Sequence, residues 1–382
     1  MPASQTPTSH ADPPVPAHGP SPGRHPVRRH LAGALLGVLA LVASACSGGA
    51  SPTPPASLLG SAGPSGSQAP SPTPAAPVKL VVGLGYIPNI QFAQFYLADQ
   101  AGYYRDAGLE VEFQNKIDPD LVTLVGQGAV DIGLSDGTSV VPAVSQGIPI
   151  RYVFTVFAQF PSIVFAKATS GIAAAADLKG KRVGYPGPFG SSWIQLQALL
   201  AGVGLTTADL TLVPFPDFGQ LAGLEKGAVD AATGYANNEP VLLELSGEKA
   251  SVLALPPASQ LPGPGLIVGA SALDSPKKDA LRAFVTATAR AMREIEADPQ
   301  KGVDAAIARI PELATDRPAQ LAVLKATIAL WESDYTRANG MGAVDPALWE
   351  RSISFMASLP DKLLAKPVTA ADCTSSALLP AP

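Results

Sequence analysis

Gly133-Leu134-Ser135-Asp136-Gly137 has the G-x-S-x-G spacing of a nucleophile elbow and follows an apolar run. A serine there attacks only if a base takes its proton, and in that arrangement the base is a downstream histidine. All four histidines (His10, His18, His25, His30) lie within the first 30 residues. Hydrolase chemistry is therefore excluded, and so is His-ligated zinc or haem once the leader is removed. Ser275-Pro276-Lys277-Lys278 has S-x-x-K spacing but lacks the accompanying S-D-N and K-T-G elements, and Ser275 before a proline reads as a helix N-cap. Gly83-Leu84-Gly85 lacks the third glycine of a dinucleotide fingerprint. No catalytic residue, metal or cofactor is expected.

What remains is a set of polar and aromatic loops placed after apolar runs. They are Tyr86-Ile87-Pro88-Asn89 with Phe92, Ser135 to Thr138, Phe157 to Phe160, Gly187 to Trp193, Pro216-Asp217-Phe218, and Tyr235 to Glu239. Aromatic faces with a few fixed hydrogen-bonding groups suit a flat ligand with polar edges. Gly190-Ser191-Ser192 stands at a helix start, where free N–H groups either bind an oxyanion or serve only in capping.

The elements that must position these loops alternate between strand and helix. Lys79–Leu84, Leu109–Phe113, Val130–Leu134 and Arg151–Phe154 read as strands buried on both faces, as in a parallel sheet covered by helices. Ile90–Tyr104 and Pro119–Gln127 read as the intervening helices. The order recurs with strand Arg182–Tyr185, helix Ser191–Ala201, strand Thr211–Phe215 and helix Gly219–Lys226. Gly128-Ala129-Val130-Asp131 reappears as Gly227-Ala228-Val229-Asp230 in the same place in each series. Two similar α/β lobes are expected, the other reading being the common grammar of βαβ units. After a returning strand at Gly265–Gly269 the chain turns helical, with Pro276–Ala297, Gly302–Ile310, Pro318–Arg337 and Pro346–Leu359 as packing helices. Trp331 and Trp349 are expected in the core.

The first 77 residues have a different character. Arg24, Arg28 and Arg29 precede the uncharged run Leu31–Ala43, and Ala43-Ser44-Ala45-Cys46 follows. This is the plan of a secretory signal, and the cysteine after small residues is similar to a bacterial lipobox, with Ala43 where leucine is preferred. An uncleaved membrane-spanning anchor and a twin-arginine signal are the other readings. Acylation at Cys46 would anchor the chain at the outer face of the cell membrane. Ser47–Pro77 carries no charge and is rich in Pro, Ser, Ala, Thr and Gly, as a tether is. Removing the leader takes away three Arg and one Asp, so the body is more acidic than the whole chain's −5, which does not suit nucleic acid. Cys373 is then the one thiol outside the anchor.

Gly85-Tyr86-Ile87-Pro88-Asn89, Phe95-Tyr96-Leu97-Ala98 and Ala101-Gly102-Tyr103-Tyr104-Arg105-Asp106-Ala107-Gly108-Leu109 resemble the start of ABC-importer solute-binding proteins. Gly128–Asp131, Gln146–Pro149, Asp177–Lys181 and Tyr235–Pro240 continue the likeness. The family is the thiamine-pyrimidine-precursor and alkanesulfonate/taurine/nitrate-binding group, whose pyrimidine branch also includes candidate riboflavin carriers. The resemblance implies an α/β, two-lobed type II periplasmic-binding fold with a C-terminal helical region on lobe one. It divides the chain into a signal (1–45), a tether (46–77), lobe one (78–168), lobe two (169–261) and a return to lobe one (262–382). It implies ligand contacts at Tyr86, Pro88, Asn89, Ser135, Asp136, Gly137, Thr138, Ser191, Ser192, Trp193, Tyr235, Asn238 and Glu239, to which position alone adds Phe157, Gln159 and Phe218. Fungal members are enzymes that consume an active-site histidine, and the histidine-free body departs from them. The expected role is capture of a heteroaromatic vitamin or precursor by a monomer, for delivery to a permease and ATPase. An anion carrier and a sensor for a membrane partner are the alternatives.

Overall fold

The computed structural model describes residues 76–115, 120–359 and 362–380. The expected signal, Cys46 and nearly all of the tether lie outside the described residues. Among the described residues no helix is long and apolar enough to cross a membrane.

Among the described residues, ten strands form two sheets of five. In chain order they are β1 (Val78–Leu84), β2 (Leu109–Asn115), β3 (Ile132–Ser135), β4 (Ile150–Thr155), β5 (Ser162–Lys167), β6 (Arg182–Tyr185), β7 (Thr211–Pro214), β8 (Ala231–Tyr235), β9 (Ala250–Leu253) and β10 (Gly265–Gly269). The first sheet runs β2-β1-β3-β10-β4 and the second β7-β6-β8-β5-β9. The two orders are equivalent position by position. In each sheet the fourth strand is the one that has just arrived from the other lobe, and it runs antiparallel to its neighbours. The sheets are therefore mixed rather than wholly parallel, as the buried, apolar strands had suggested. Buried on both faces, a strand carries no periodic mark of its direction.

This exchange also moves the expected lobe boundary. β5 pairs with β8 and β9 in the second sheet, so the chain leaves lobe one between β4 and β5 rather than at residue 168. The return falls between β9 and β10, a stretch that includes Leu261.

The repeated tetrapeptide performs the same task twice. Asp131 donates its N–H to the Val81 carbonyl and accepts the Val81 N–H on Oδ2, each at 2.9 Å. Asp230 does the same with Arg182, again at 2.9 Å for both. Each aspartate thus locks the entry of one central strand to its neighbour. Gly128 and Gly227 precede at φ 74° and 70°, left-handed values that let each helix end and the chain turn into its strand.

The C-terminal helices form as expected, with one break. Lys278–Ala297 buries Leu281, Phe284, Val285, Thr288, Met292 and Ile295 on one face. Phe284 stacks on Tyr104 with centroids 4.7 Å apart. The expected helix Pro318–Arg337 is instead Arg317–Ala329 followed by Asp334–Asn339. Ser333 caps the second piece by accepting the Thr336 N–H, which competes with a continuous helix. Trp331 and Trp349 are core residues, each 1% exposed.

Candidate functional site

The parallel strands β1, β3, β6 and β8 all end at one cleft, the place where open α/β sheets gather loops. It measures about 890 Å³ counted out to its open mouth. Both lobes line it. Tyr86 follows β1, Ser135 and Asp136 follow from β3, and Phe157 and Pro264 come from the two crossovers. Ser191 and Ser192 open the helix Gly190–Ala201 after β6, and Tyr235, Asn238 and Glu239 follow from β8.

Two aromatic rings meet across the cleft. Tyr86 and Phe218 pack edge to face, with centroids 4.7 Å apart and planes at 76°. Phe218 holds φ at 60°, a conformation that costs a non-glycine residue about 1–2 kcal/mol. Its N–H donates to the Phe215 carbonyl at 2.9 Å, and the Asp217 side chain accepts the Gly219 N–H at 3.2 Å. These two bonds fix the turn. Strain of this kind is stored where a ring must be aimed.

Two carboxylates are buried in the same cleft, one from each lobe. Asp136 caps the helix Gly137–Ser145 and accepts the Thr138 N–H at 2.9 Å. Burial pushes its carboxyl up from the ordinary value, and hydrogen bonds from Thr138, from the Ser191 hydroxyl across the cleft and from Ser139 oppose that. The Ser191 hydroxyl also lies 2.9 Å from the Tyr235 hydroxyl. Glu239 starts the helix Glu239–Leu245, and its Oε2 accepts the Tyr235 N–H at 2.8 Å. Burial raises its carboxyl as well, opposed by backbone N–H groups and the Asn238 side chain. Gly234 makes the space: a Cβ there would stand 2.7 Å from Glu239 Oε2. Burial, then the Glu239 charge, holds the Tyr86 phenol above its ordinary value and so protonated.

Ten of the sixteen residues expected at a site line the cleft: Tyr86, Ser135, Asp136, Phe157, Ser191, Ser192, Phe218, Tyr235, Asn238 and Glu239. The other six do not. Pro88 is exposed. Asn89 caps the 3-10 turn Ile90–Phe92, accepting the Gln91 N–H at 3.0 Å. Gly137 and Thr138 are spent on the start of their helix, with the Gly137 N–H on the Pro262 carbonyl at 3.0 Å and Thr138 on Asp136. Gln159 donates to the carbonyls of Ala329 and Glu332, both at 3.0 Å, and ties the first crossover to the C-terminal region. Trp193 packs on Tyr185 inside lobe two, with centroids 5.6 Å apart.

The site also holds residues that sequence reasoning did not assign to it, among them Gln91, Pro186, Phe189, Gln220 and Pro264. Phe189 belonged to a loop already singled out. Gln91 and Gln220 had only a faint signal, a single polar residue directly behind a capping turn. Among the described residues, no cluster of His, Cys, Asp and Glu is arranged to hold a metal ion.

Known proteins resemble this chain in sequence and in fold. A family profile described as "NMT1/THI5 like" matches residues 89–302. The riboflavin-binding protein RibY of Chloroflexus aurantiacus is 34% identical over 350 residues, which covers 90% of this chain and 97% of that protein. A 4-amino-5-hydroxymethyl-2-methylpyrimidine phosphate synthase of Legionella pneumophila is 30% identical over 167 residues, and the match spans only 52% of that protein. The alkanesulfonate-binding protein SsuA from Xanthomonas axonopodis, solved with MOPS bound, superposes with a TM-score of 0.60 at 21% identity, covering 78% of this chain and 98% of its own. That likeness concerns the fold, a two-lobed periplasmic-binding architecture.

Proposed function

We propose, from the premise that this chain belongs to the NMT1/THI5-like family, that it captures a small heteroaromatic vitamin or precursor between its two lobes and delivers it to an ABC permease. A riboflavin-like compound is the first choice and a thiamine pyrimidine the second. The expected place of work is the outer face of the cell membrane, with Cys46 acylated as the anchor. The observation that carries this reading is the chemistry of the cleft. Aromatic rings stand on both lobes, two carboxylates are buried between them, and no Lys or Arg is among the described lining residues. Rings stack on a flat ligand, and buried carboxylates accept from N–H or O–H groups. A sulfonate or nitrate brings only acceptors and a negative charge, which Asp136 and Glu239 repel. RibY, matched over almost its whole length, bears a name that agrees with this choice. The synthase relatives are matched over about half their length, which does not support carrying their activity over to this chain. We read the protein as a binder.

A thermal-shift panel tests the ligand class. Riboflavin and 4-amino-5-hydroxymethyl-2-methylpyrimidine are set against taurine, an alkanesulfonate and nitrate. A ligand at 100 times its Kd stabilises the folded state by about 2.7 kcal/mol, which is readily seen. A shift with at least one flat heterocycle and none with the anions is expected. A shift confined to the anions would reverse the assignment.

A further inference from the structure

Two glutamine side chains line the cleft from opposite lobes, Gln91 on the 3-10 turn after β1 and Gln220 at the start of the helix Gln220–Glu225 after β7. They are 5% and 3% exposed. Neither carboxamide hydrogen-bonds to another described residue, and Gln220 Oε1 is buried without a partner. A buried acceptor left unpaired is costly, and a lone glutamine of this kind would be replaced at little loss by leucine unless something fills its bonds. The surrounding turns fix the backbone that carries both side chains. Asn89 caps the turn that carries Gln91, and the strained Phe218 turn leads directly into Gln220.

We propose that Gln91 and Gln220 are the specificity-determining pair of this cleft, selecting a ligand that carries a hydrogen-bond donor and an acceptor side by side, as a lactam or imide edge does. The inference rests on the heterocycle reading above and deepens it. A carboxamide presents one acceptor and two donors in a plane. The terminal torsion of a glutamine is soft, so a turn about it brings the carboxamide edge to the ligand: a lactam N–H then satisfies Gln220 Oε1, which is sealed off in the ligand-free cleft, while its carbonyl accepts from Nε2, the same two-bond geometry by which amide side chains read a base edge. Gln91 meets the polar groups of the ligand from the other lobe, so closing the cleft completes both sets of bonds. Asp136 and Glu239 cannot substitute for this pair, because a carboxylate offers acceptors only. Acceptor-only anions leave Gln220 Oε1 unpaired, which is the situation in which a polar site discriminates most sharply.

The test uses riboflavin, whose ring has one imide N–H, and N3-methylriboflavin, in which that donor is blocked. Equilibrium binding of both is measured for the wild type, Gln220→Leu and Gln91→Leu, together with ligand-free melting temperatures. Gln220→Leu is expected to weaken riboflavin binding about tenfold, consistent with one buried hydrogen-bonding group left unmatched. Its ligand-free melting temperature is expected to stay level or rise, because the orphan acceptor is gone, whereas a purely structural glutamine would lower it. N3-methylation is expected to weaken binding to the wild type by a similar factor and to matter much less in Gln220→Leu. Gln91→Leu should weaken both flavins alike. Riboflavin bound equally by all three proteins, or a methylation penalty unchanged in Gln220→Leu, would overturn the pairing while leaving the heterocycle reading intact. A wild type that binds neither flavin but takes a sulfonate or nitrate would overturn both.

Discussion

Glu239→Gln is expected to bind a flat heterocycle about 10- to 100-fold more weakly than the wild type and, free of ligand, to melt at a higher temperature at neutral pH. Hydrogen bonds to a charged group contribute about 1.5–3 kcal/mol, which sets the first effect. The second follows from burial, which lifts the Glu239 carboxyl above its ordinary value of 4.5. The folded chain therefore holds this proton more tightly than the unfolded chain does. The stability so gained is fully present below the ordinary value and is lost as pH rises through the raised one. Asp136 is shifted in the same direction by the same cause and adds to the slope. Ligand binding runs the opposite way. The ionised carboxylate is the stronger acceptor for an N–H donor, so affinity grows as pH rises across the same interval. Glutamine keeps an acceptor for the Tyr235 N–H and removes Glu239's part of both slopes. Melting temperature and affinity, each followed against pH, check the pair of effects. Wild-type affinity in Glu239→Gln would remove this residue from the site.

Phe218→Gly is expected to lose about 5- to 150-fold in affinity while its ligand-free stability stays within about 1 kcal/mol of the wild type. Stacking of a flat heterocycle on an aromatic side chain is worth about 1–3 kcal/mol, and nothing replaces it. In the folded protein the terms nearly cancel. Glycine at φ 60° relieves about 1–2 kcal/mol of left-handed strain. It gives back about 0.5–1 kcal/mol as freedom in the unfolded chain, and the lost edge contact with Tyr86 removes about 0.5–1.5 kcal/mol more. Phe218→Ala retains the strain and loses the ring, so it should bind as weakly as glycine but melt lower. Chemical denaturation of the two variants beside the wild type, with ligand titrations, separates the terms. Equal melting of Gly and Ala variants would show that the φ value carries no strain.

The strands were legible where one lobe could be read by itself. Arg182–Tyr185 and Gly265–Gly269 form over the expected residues, and the two Gly-Ala-Val-Asp copies mark equivalent joints because each aspartate must tie two neighbouring strands. β5 and β9 were not legible as strands of a second sheet. Ser162–Lys167 is apolar and short, and its direction is set by pairing with residues more than 60 positions away. The candidate site shows the same division. Tyr86, Phe218 and Glu239 stand out as aromatic or charged groups in loops after strands. Asn89 and Thr138 have the residue types of ligand contacts, but Asn and Thr are also the types that satisfy free N–H groups at a helix start, and here the helix takes them. Gln91 and Gln220 look like solvated polar residues in sequence. Both are buried where they line the cleft, and no local pattern records that.

Titration of riboflavin fluorescence with the purified protein, followed by release and recovery of the flavin, tests the central claim most directly. Saturable quenching at one flavin per chain, with the flavin recovered chemically unchanged, is the expected result. No saturable binding of riboflavin or the aminopyrimidine at any attainable concentration, or recovery of a converted product, would contradict a heterocycle-binding protein that carries its ligand without altering it.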